Sequence, residues 1–220
     1  MRYINLFEEF KIKPRATDVP VYSTGQRPVT ANNKKVIRKQ DVIVATNGTI
    51  HDIVKNEIVR LGEDADLNHI NVSRVTNMNS LFYYIDFHGD VSQWDVSNVE
   101  DMSYMFEDCD NFNCDLSKWD VSKVKDMRSM FSRCYNFNQD LSSWDVRNVK
   151  DMNWMFNRCL KFNSDISKWD VGKVENMGAM FRHCANFNQD LSNWDVSNVE
   201  CVYSMFDNCP IKEEYKPKFK

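Results

Sequence analysis

Glycine and proline are scarce and histidine follows no pattern: 220 residues hold 6 Gly, 5 Pro and 4 His. So few glycines exclude a phosphate-cradling loop, which needs them at fixed offsets. His51, His69, His88 and His183 keep no spacing with a nucleophile, so no catalytic triad is legible. Carboxylate pairs are plentiful, but as periodic copies they read as frame rather than as one tuned acid and base. No Cys-x-x-Cys or His-x-x-x-His pair occurs, which argues against zinc. No apolar run reaches 18 residues, so no membrane-spanning helix is expected. The opening MRYINLFEEFKIKP has no apolar core of secretory type before Glu8 and Glu9. The first cysteine is Cys109, so neither a leader nor a lipidated N-terminal cysteine is expected, and the compartment stays undecided.

The net charge of −4 is unevenly spread. Residues 1–65 carry 11 basic and 8 acidic side chains, residues 66–209 carry 13 and 22, and residues 210–220 carry 4 and 2. An acidic central region lacks the clustered Lys and Arg of a phosphate-backbone footprint, so nucleic acid is not an expected partner.

What is present is a repeat. Trp94, Trp119, Trp144, Trp169 and Trp194 lie 25 residues apart, each followed by Asp and Val, with a second Val three residues further on. A fixed period of this size means one unit stacked on itself, too small to bury its apolar face without neighbours. Units begin at Asp66, Asp90, Asp115, Asp140, Asp165 and Asp190. The first is degenerate, with Ile70 for Trp, Asn71 for Asp and Leu81 for Met, as befits an end unit beside a cap. Leucine is sparse; Met, Phe, Val and Trp fill the core in its place.

Ahead of the repeat, residues 1–48 read as an extended arm whose Ile4, Leu6, Phe7 and Phe10 want an apolar partner. Val42 to Ala45 suits a short strand, and Asn47-Gly48 a turn. Residues 49–65 read as a capping helix: Thr49 as N-cap with Asp52 three residues on, Ile50, Ile53, Val54, Ile58 and Leu61 at helical spacing, and Gly62 as the stop. Residues 66–209 form the repeat. The tail, 210–220, is placed over the C-terminal edge, where its Lys and Pro discourage edge pairing.

Within a unit two periodicities divide the labour. Leu116, Trp119 and Val121 follow L-x-x-L-x-L, with Trp and Val on one face of a strand. Met127, Met130, Phe131 and Cys134 lie at i, i+3, i+4 and i+7, the stripe of a short helix. Ser97 and Ser197, each with Glu three residues later, look like capping boxes for such helices.

The ladders pose the question of structure or site. Cys109, Cys134, Cys159, Cys184 and Cys209 are expected to be reduced and buried. The Trp column is expected in the core, and Asn113, Asn138, Asn163 and Asn188 are expected to bridge backbone groups of adjacent turns. Alternation places Asp95, Asp120, Asp145, Asp170 and Asp195 outward. Like charges about 5 Å apart repel by roughly 0.8 kcal/mol per pair in water, so something offsets them. Local hydrogen bonding, a partner-facing acidic stripe and calcium are the three readings, the last without any EF-type loop. A second column, Asp90, Asp115, Asp140, Asp165 and Asp190, raises the same question. The variable outward positions beside Trp are Gln93, Lys118, Ser143, Lys168 and Asn193, with Asn98, Lys123, Asn148, Lys173 and Asn198 beyond the Asp. A partner, if one is read, is expected on the strip of Gln93, Lys118, Ser143, Lys168 and Asn193 with the adjoining Asp column.

The repeat LSxWDVSxVxxMxxMFxxCxxFNxD resembles the BspA-like leucine-rich repeats of bacterial surface proteins, in the version common in mycoplasma lipoproteins. The likeness implies an α/β, leucine-rich-repeat-like right-handed solenoid of 25-residue strand-helix units with an N-terminal helical cap. It also implies adhesion or protein binding without catalysis; no cofactor is expected, and no metal site is assigned. Copies of the repeat occur in viral and phage genomes as well, and the opening LFEEF is faintly similar to the N-termini of some tailed-phage proteins. The expected function is therefore a non-enzymatic protein-binding or adhesion module, not membrane-inserted. The alternative is a structural or decoration component of a larger assembly such as a virion, anchored by the N-terminal arm, with self-assembly or assembly with virion proteins.

Overall fold

The computed structural model describes residues 42–219. The arm's apolar decapeptide, and with it the anchoring role expected for residues 1–48, lies outside the described residues.

Ile43–Val44 (β1) pairs in parallel with Ile70–Asn71 (β2), Ile43 opposite Ile70 and Val44 opposite Asn71. The strand expected at 42–45 thus lies beside the first unit at the place of its missing Trp and Asp. Between them runs helix α1, Ile50–Leu61, which buries Ile50, Val54, Glu57 and Ile58. Gly62, at φ +101°, ends it by donating its N–H to the Ile58 carbonyl at 2.8 Å. The helix start differs from expectation. Thr49 holds the N-cap position but makes no cap hydrogen bond; its Oγ1 instead accepts the Thr46 N–H at 3.0 Å. A hydroxyl engaged by the preceding turn cannot also close a capping box with Asp52. Arg60 and His69 both converge on the buried Glu57 carboxylate.

Successive units are laid on one another in register. Parallel bridges join Asn77 to Asp101, Asp101 to Asp126, Asp126 to Asp151, Asp151 to Asn176 and Asn176 to Cys201. Each step is one unit.

Neither half of the unit has the regular element expected of it. In the first half, Trp119 donates its backbone N–H to the Leu116 carbonyl and Val124 to that of Val121, at 3.0 and 2.9 Å. These are two consecutive tight turns rather than a strand. The cause is local: Asp115 and Asp120 accept the backbone N–H groups of Ser117 and Ser122 at 2.9 and 3.0 Å. A short polar side chain that captures the N–H two residues on offers the backbone an alternative to a sheet ladder.

In the second half, α1 being the one α-helix among the described residues, Asp126 to Cys134 is a run of turns with a left-handed residue every fourth place. Ser129 and Arg133 have φ of +53° and +63°, and the same two columns are left-handed in every unit, without any glycine among them. Every second N–H points to the next unit: Met127, Ser129, Phe131 and Arg133 donate to the carbonyls of Asp151, Asn153, Met155 and Asn157 at 2.7 to 2.9 Å. Met130, Ser132 and Cys134 donate three residues back within their own unit. An α-helix would have turned the Phe131 and Arg133 N–H groups inward onto its own carbonyls; here they hold the stack together. The helix stripe read from the sequence nonetheless names the right inward residues, since Met127, Met130, Phe131 and Cys134 are all fully buried. The capping boxes dissolve with the helix: Asp95 captures the Ser97 hydroxyl at 2.7 Å, and Glu100 pairs with Lys125 of the next unit.

Two phenylalanine columns fill the interior. Phe106, Phe131, Phe156 and Phe181 stack at 5.7 to 5.8 Å, Phe112, Phe137, Phe162 and Phe187 at 5.8 to 6.1 Å, and pairs within a unit approach to between 3.9 and 4.2 Å. Offset aromatic pairs contribute about 0.5–1.5 kcal/mol each beyond their buried area.

Both ends are covered by chain that does not repeat. Asn47 Oδ1 accepts the N–H groups of Thr76 and Asn77 at 2.8 and 3.2 Å, standing in for a preceding unit. At the other end Ile211 is buried, the Lys212 N–H donates to Asn188 Oδ1, and Leu191 donates to the Tyr215 carbonyl at 2.8 Å.

Candidate binding surfaces

The Trp and Cys columns belong to the frame. Each indole N–H reaches the preceding unit: Trp119 to the Val91 carbonyl, Trp144 to Leu116, Trp169 to Leu141 and Trp194 to Ile166, at 3.0 to 3.2 Å. The thiols do likewise, Cys134 to Phe106, Cys159 to Phe131 and Cys184 to Phe156 at 2.9 to 3.0 Å. All seven cysteines are free. Burial pushes the thiols of Cys134, Cys159 and Cys184 well above the ordinary cysteine range. The asparagines act as expected, Asn113 accepting the Asn138 N–H and Asn138 that of Asn163, at 2.9 and 2.8 Å.

The Asp column beside Trp lies outward, and each member closes its own turn. Asp95, Asp120, Asp145, Asp170 and Asp195 accept the backbone N–H of Ser97, Ser122, Arg147, Gly172 and Ser197 at 3.0 to 3.3 Å. The first unit decides what this column is for. There Asn71, which carries no charge, accepts the Ser73 N–H at 3.0 Å in the same way. Local hydrogen bonding is therefore the reading that the geometry supports. The second column repeats the device, Asp90, Asp115, Asp140, Asp165 and Asp190 each accepting the N–H two residues on at 2.8 to 3.0 Å. Hydrogen bonds from Ser117 and Ser122 hold the Asp115 and Asp120 carboxyls below the usual aspartate range. A third such column, Asp101, Asp126, Asp151 and Asn176, was hidden within the expected helix. Among the described residues, the group of ligating atoms within 4.8 Å of one another is Glu63, Asp86 and His88, which includes no member of these columns.

The rest of the expected strip is divided between frame and surface. Gln93, Lys118, Lys168 and Asn193 are exposed. Ser143 spends its hydroxyl on the Ser117 carbonyl at 2.9 Å. Beyond the Asp column, Asn98 and Asn148 donate to the Ser73 and Ser122 carbonyls, and Lys123 and Lys173 donate to those two asparagines at 2.7 and 2.8 Å. This face is laced across its units by side chains.

A second face comes from the variable letters of Met-x-x-Met-Phe-x-x-Cys, of which Ser103, Ser129, Ser132, Asn157, Gly178 and Ala179 are buried and the rest half-buried or exposed. From the second unit to the sixth, the position after the first Met reads Ser103, Arg128, Asn153, Gly178, Tyr203, and the next reads Tyr104, Ser129, Trp154, Ala179, Ser204. The two after Phe read Glu107, Ser132, Asn157, Arg182, Asp207 and Asp108, Arg133, Arg158, His183, Asn208. Neighbours touch across units. The Arg128 guanidinium lies over the Tyr104 ring at 5.5 Å, Arg133 pairs with Asp108 at 3.0 Å, and Trp154 donates its indole N–H to Tyr203 Oη at 2.6 Å. The signal was present in the sequence as turn-to-turn variation, but these letters read there as the polar side of a helix.

The sequence of this stack matches the family described as Mycoplasma protein of unknown function, DUF285, over residues 54–159 and again over 140–215. The chain belongs to this family. The two matches meet in the fourth unit, so the DUF285 family spans the second half of α1 and nearly the whole repeat. No curated protein and no solved structure is significantly similar.

Proposed function

We propose that this DUF285 protein is a non-enzymatic protein-binding or adhesion module, built as a right-handed leucine-rich-repeat-like solenoid of the BspA type. One observation carries the reading: the residues that recur are spent on the frame, in turns of their own unit or in bonds between units, while the half-buried to exposed column Asp108, Arg133, Arg158, His183 and Asn208 varies along the stack. A catalytic site needs one tuned constellation, whereas a frame that repeats under a surface that varies suits recognition of another macromolecule.

The test is cross-linking in the native source, fractionated into cytosol, cell surface and released particles. The expected result is a recurrent foreign protein cross-linked to outward positions of residues 66–209. Recovery without any protein neighbour in every fraction overturns the reading.

A further inference from the structure

Among the described residues, the fourth and fifth units carry cations without a paired carboxylate beside the half-exposed Tyr203 and the half-buried Trp154. We propose that the surface built by Trp154, Arg158, Lys161, Arg182 and Tyr203 docks an acidic segment of a protein partner; this rests on the protein-binding reading above and names its surface and partner chemistry.

Four observations converge. The first is the aromatic platform. Tyr203 belongs to the sixth unit, is half exposed, and reaches back across the fifth to accept hydrogen bonds from Trp154 Nε1 at 2.6 Å and Asn153 Nδ2 at 3.1 Å. Gly178 makes this crossing possible, since a Cβ there would lie 2.4 Å from the Tyr203 ring. An aromatic side chain held at its far end and laid over a glycine is ordered before any partner arrives, which lowers the entropy cost of binding.

The second is charge. Arg128 is paired with Asp126 and Arg133 with Asp108, at 2.7 and 3.0 Å. Arg158, next in the column after Arg133, is exposed, and among the described residues no carboxylate pairs with Arg158, Lys161 or Arg182. The variable letters of these two units, Asn153, Trp154, Arg158, Arg182 and His183 at least partly exposed and Asn157, Gly178 and Ala179 buried, contain no acid. The nearest acids in sequence register are Asp151, which closes its own turn on Asn153, and Asp207 of the sixth unit. In a chain with a net charge of −4 this is a local positive field.

The third is the placement of the cation: the Arg182 guanidinium lies over the Trp154 ring at 5.8 Å. The fourth is composition: Trp, Tyr and Arg are the residues that concentrate binding energy, and the fixed fork of arginine matches a carboxylate with two parallel hydrogen bonds. Together these fit an extended segment whose Asp or Glu side chains meet Arg158 and Arg182 while an apolar or aromatic neighbour lies on Trp154 and Tyr203.

The experiment uses the full chain, immobilised, against a displayed library of short random peptides at moderate salt, followed by fluorescence polarisation on the synthesised winners. The selected peptides are expected to be rich in Asp and Glu. Their affinity is expected to fall about ten-fold or more on Arg158→Glu and on Tyr203→Ala, and to stay within about two-fold on Arg74→Ala, an exposed change in the first unit. Arg158 is exposed, so its variant tests the surface without entering the core, and circular dichroism of each variant checks the fold. The proposal is overturned if the winners are neutral or basic, if their binding ignores Arg158→Glu, or if no peptide is selected. The protein-binding reading survives all three of these outcomes as long as cross-linking in the native source finds a protein neighbour.

Discussion

The two halves of each unit solve the same stacking problem by opposite means. In Asp-Leu-x-x-Trp-Asp-Val the main chain is tied to its own Asp side chains, so the units are joined by side-chain donors such as the Trp144 indole on the Leu116 carbonyl. In Met-x-x-Met-Phe-x-x-Cys the main chain itself crosses from unit to unit, Ser129 to Asn153 and Arg133 to Asn157. Where side chains hold the stack, the recurring outward Asp column is fixed by its turns, while Gln93, Lys118, Lys168 and Asn193 beside it vary. Where the backbone holds it, no outward column between the first Met and Cys recurs: Asp108, Arg133, Arg158, His183 and Asn208 vary along the stack. A regular outward strip such as Asp95 to Asp195 is thus a sign of frame, and irregularity is the sign of a surface available for recognition.

The comparison is most severely tested in the shared core. Phe131→Ala removes a ring that stacks on Phe106, Phe137 and Phe156, and large-to-small substitution of a fully buried Phe costs about 3–5 kcal/mol. Urea unfolding is expected to show a loss of that size; one below about 1 kcal/mol would mean that the columns do not bear on stability.

Next in size are paired changes in the two halves. Trp144→Phe keeps most of the volume but leaves the Leu116 carbonyl without its donor, a loss of about 1–3 kcal/mol. Lys161→Ala, on the backbone-held side and exposed, is expected to stay within about 0.5 kcal/mol. Equal losses in the two variants would break the proposed division of labour. A finer contrast lies within the Asp column. Asp120→Ala is expected to cost about 0.5–2 kcal/mol, as loss of a comparable cap does, whereas Asp120→Asn should lose much less because Asn71 already fills this place. If Asn and Ala are equally harmful, charge rather than the turn hydrogen bond is what the column supplies.

Much of this was legible in the sequence, and the reason is geometric. A period of 25 fixes the unit, and the spacing of Met127, Met130, Phe131 and Cys134 fixes the buried side whether the backbone is helical or a run of turns, because both project those residues inward. The backbone itself was not legible. Left-handed φ is usually announced by glycine, yet Ser129, Arg133, Trp154 and His183 hold it here, stabilised by N–H groups that reach the next unit and not by any local signal. The Asp columns left three readings open, local hydrogen bonding among them, for a related reason. Their hydrogen bonds run to the residue two places on, and alternation alone cannot distinguish an outward strand side chain from one folded back on its own turn. The acid-free cluster at Arg158 and Arg182 was equally hidden, since it takes shape only when the fourth, fifth and sixth units lie side by side.

The smallest expected effect is also the one in which the halves oppose each other in sign. In the first half, serine N–H and hydroxyl groups hold Asp115, Asp120, Asp140 and Asp165 below the ordinary aspartate value of 3.8. A carboxyl depressed in the folded state contributes stability above that value and loses it as pH falls through the folded pKa. In the second half, burial and then the Asp108 charge push Glu107 up from 4.5 to about 7. A raised carboxyl works the other way: the folded state binds the proton more tightly, so its contribution declines as pH rises from 4.5 to about 7. Urea midpoints taken across pH should therefore drop at the acid end through the Asp columns and drift downward toward neutrality through Glu107. Glu107→Gln should reduce the drift, leaving the share of Asp110 and Asp126, which burial also raises, and leave the acid limb unchanged. If the drift persists undiminished in that variant, Glu107 is not its source; if the acid limb vanishes with it, the two halves do not titrate as separate devices.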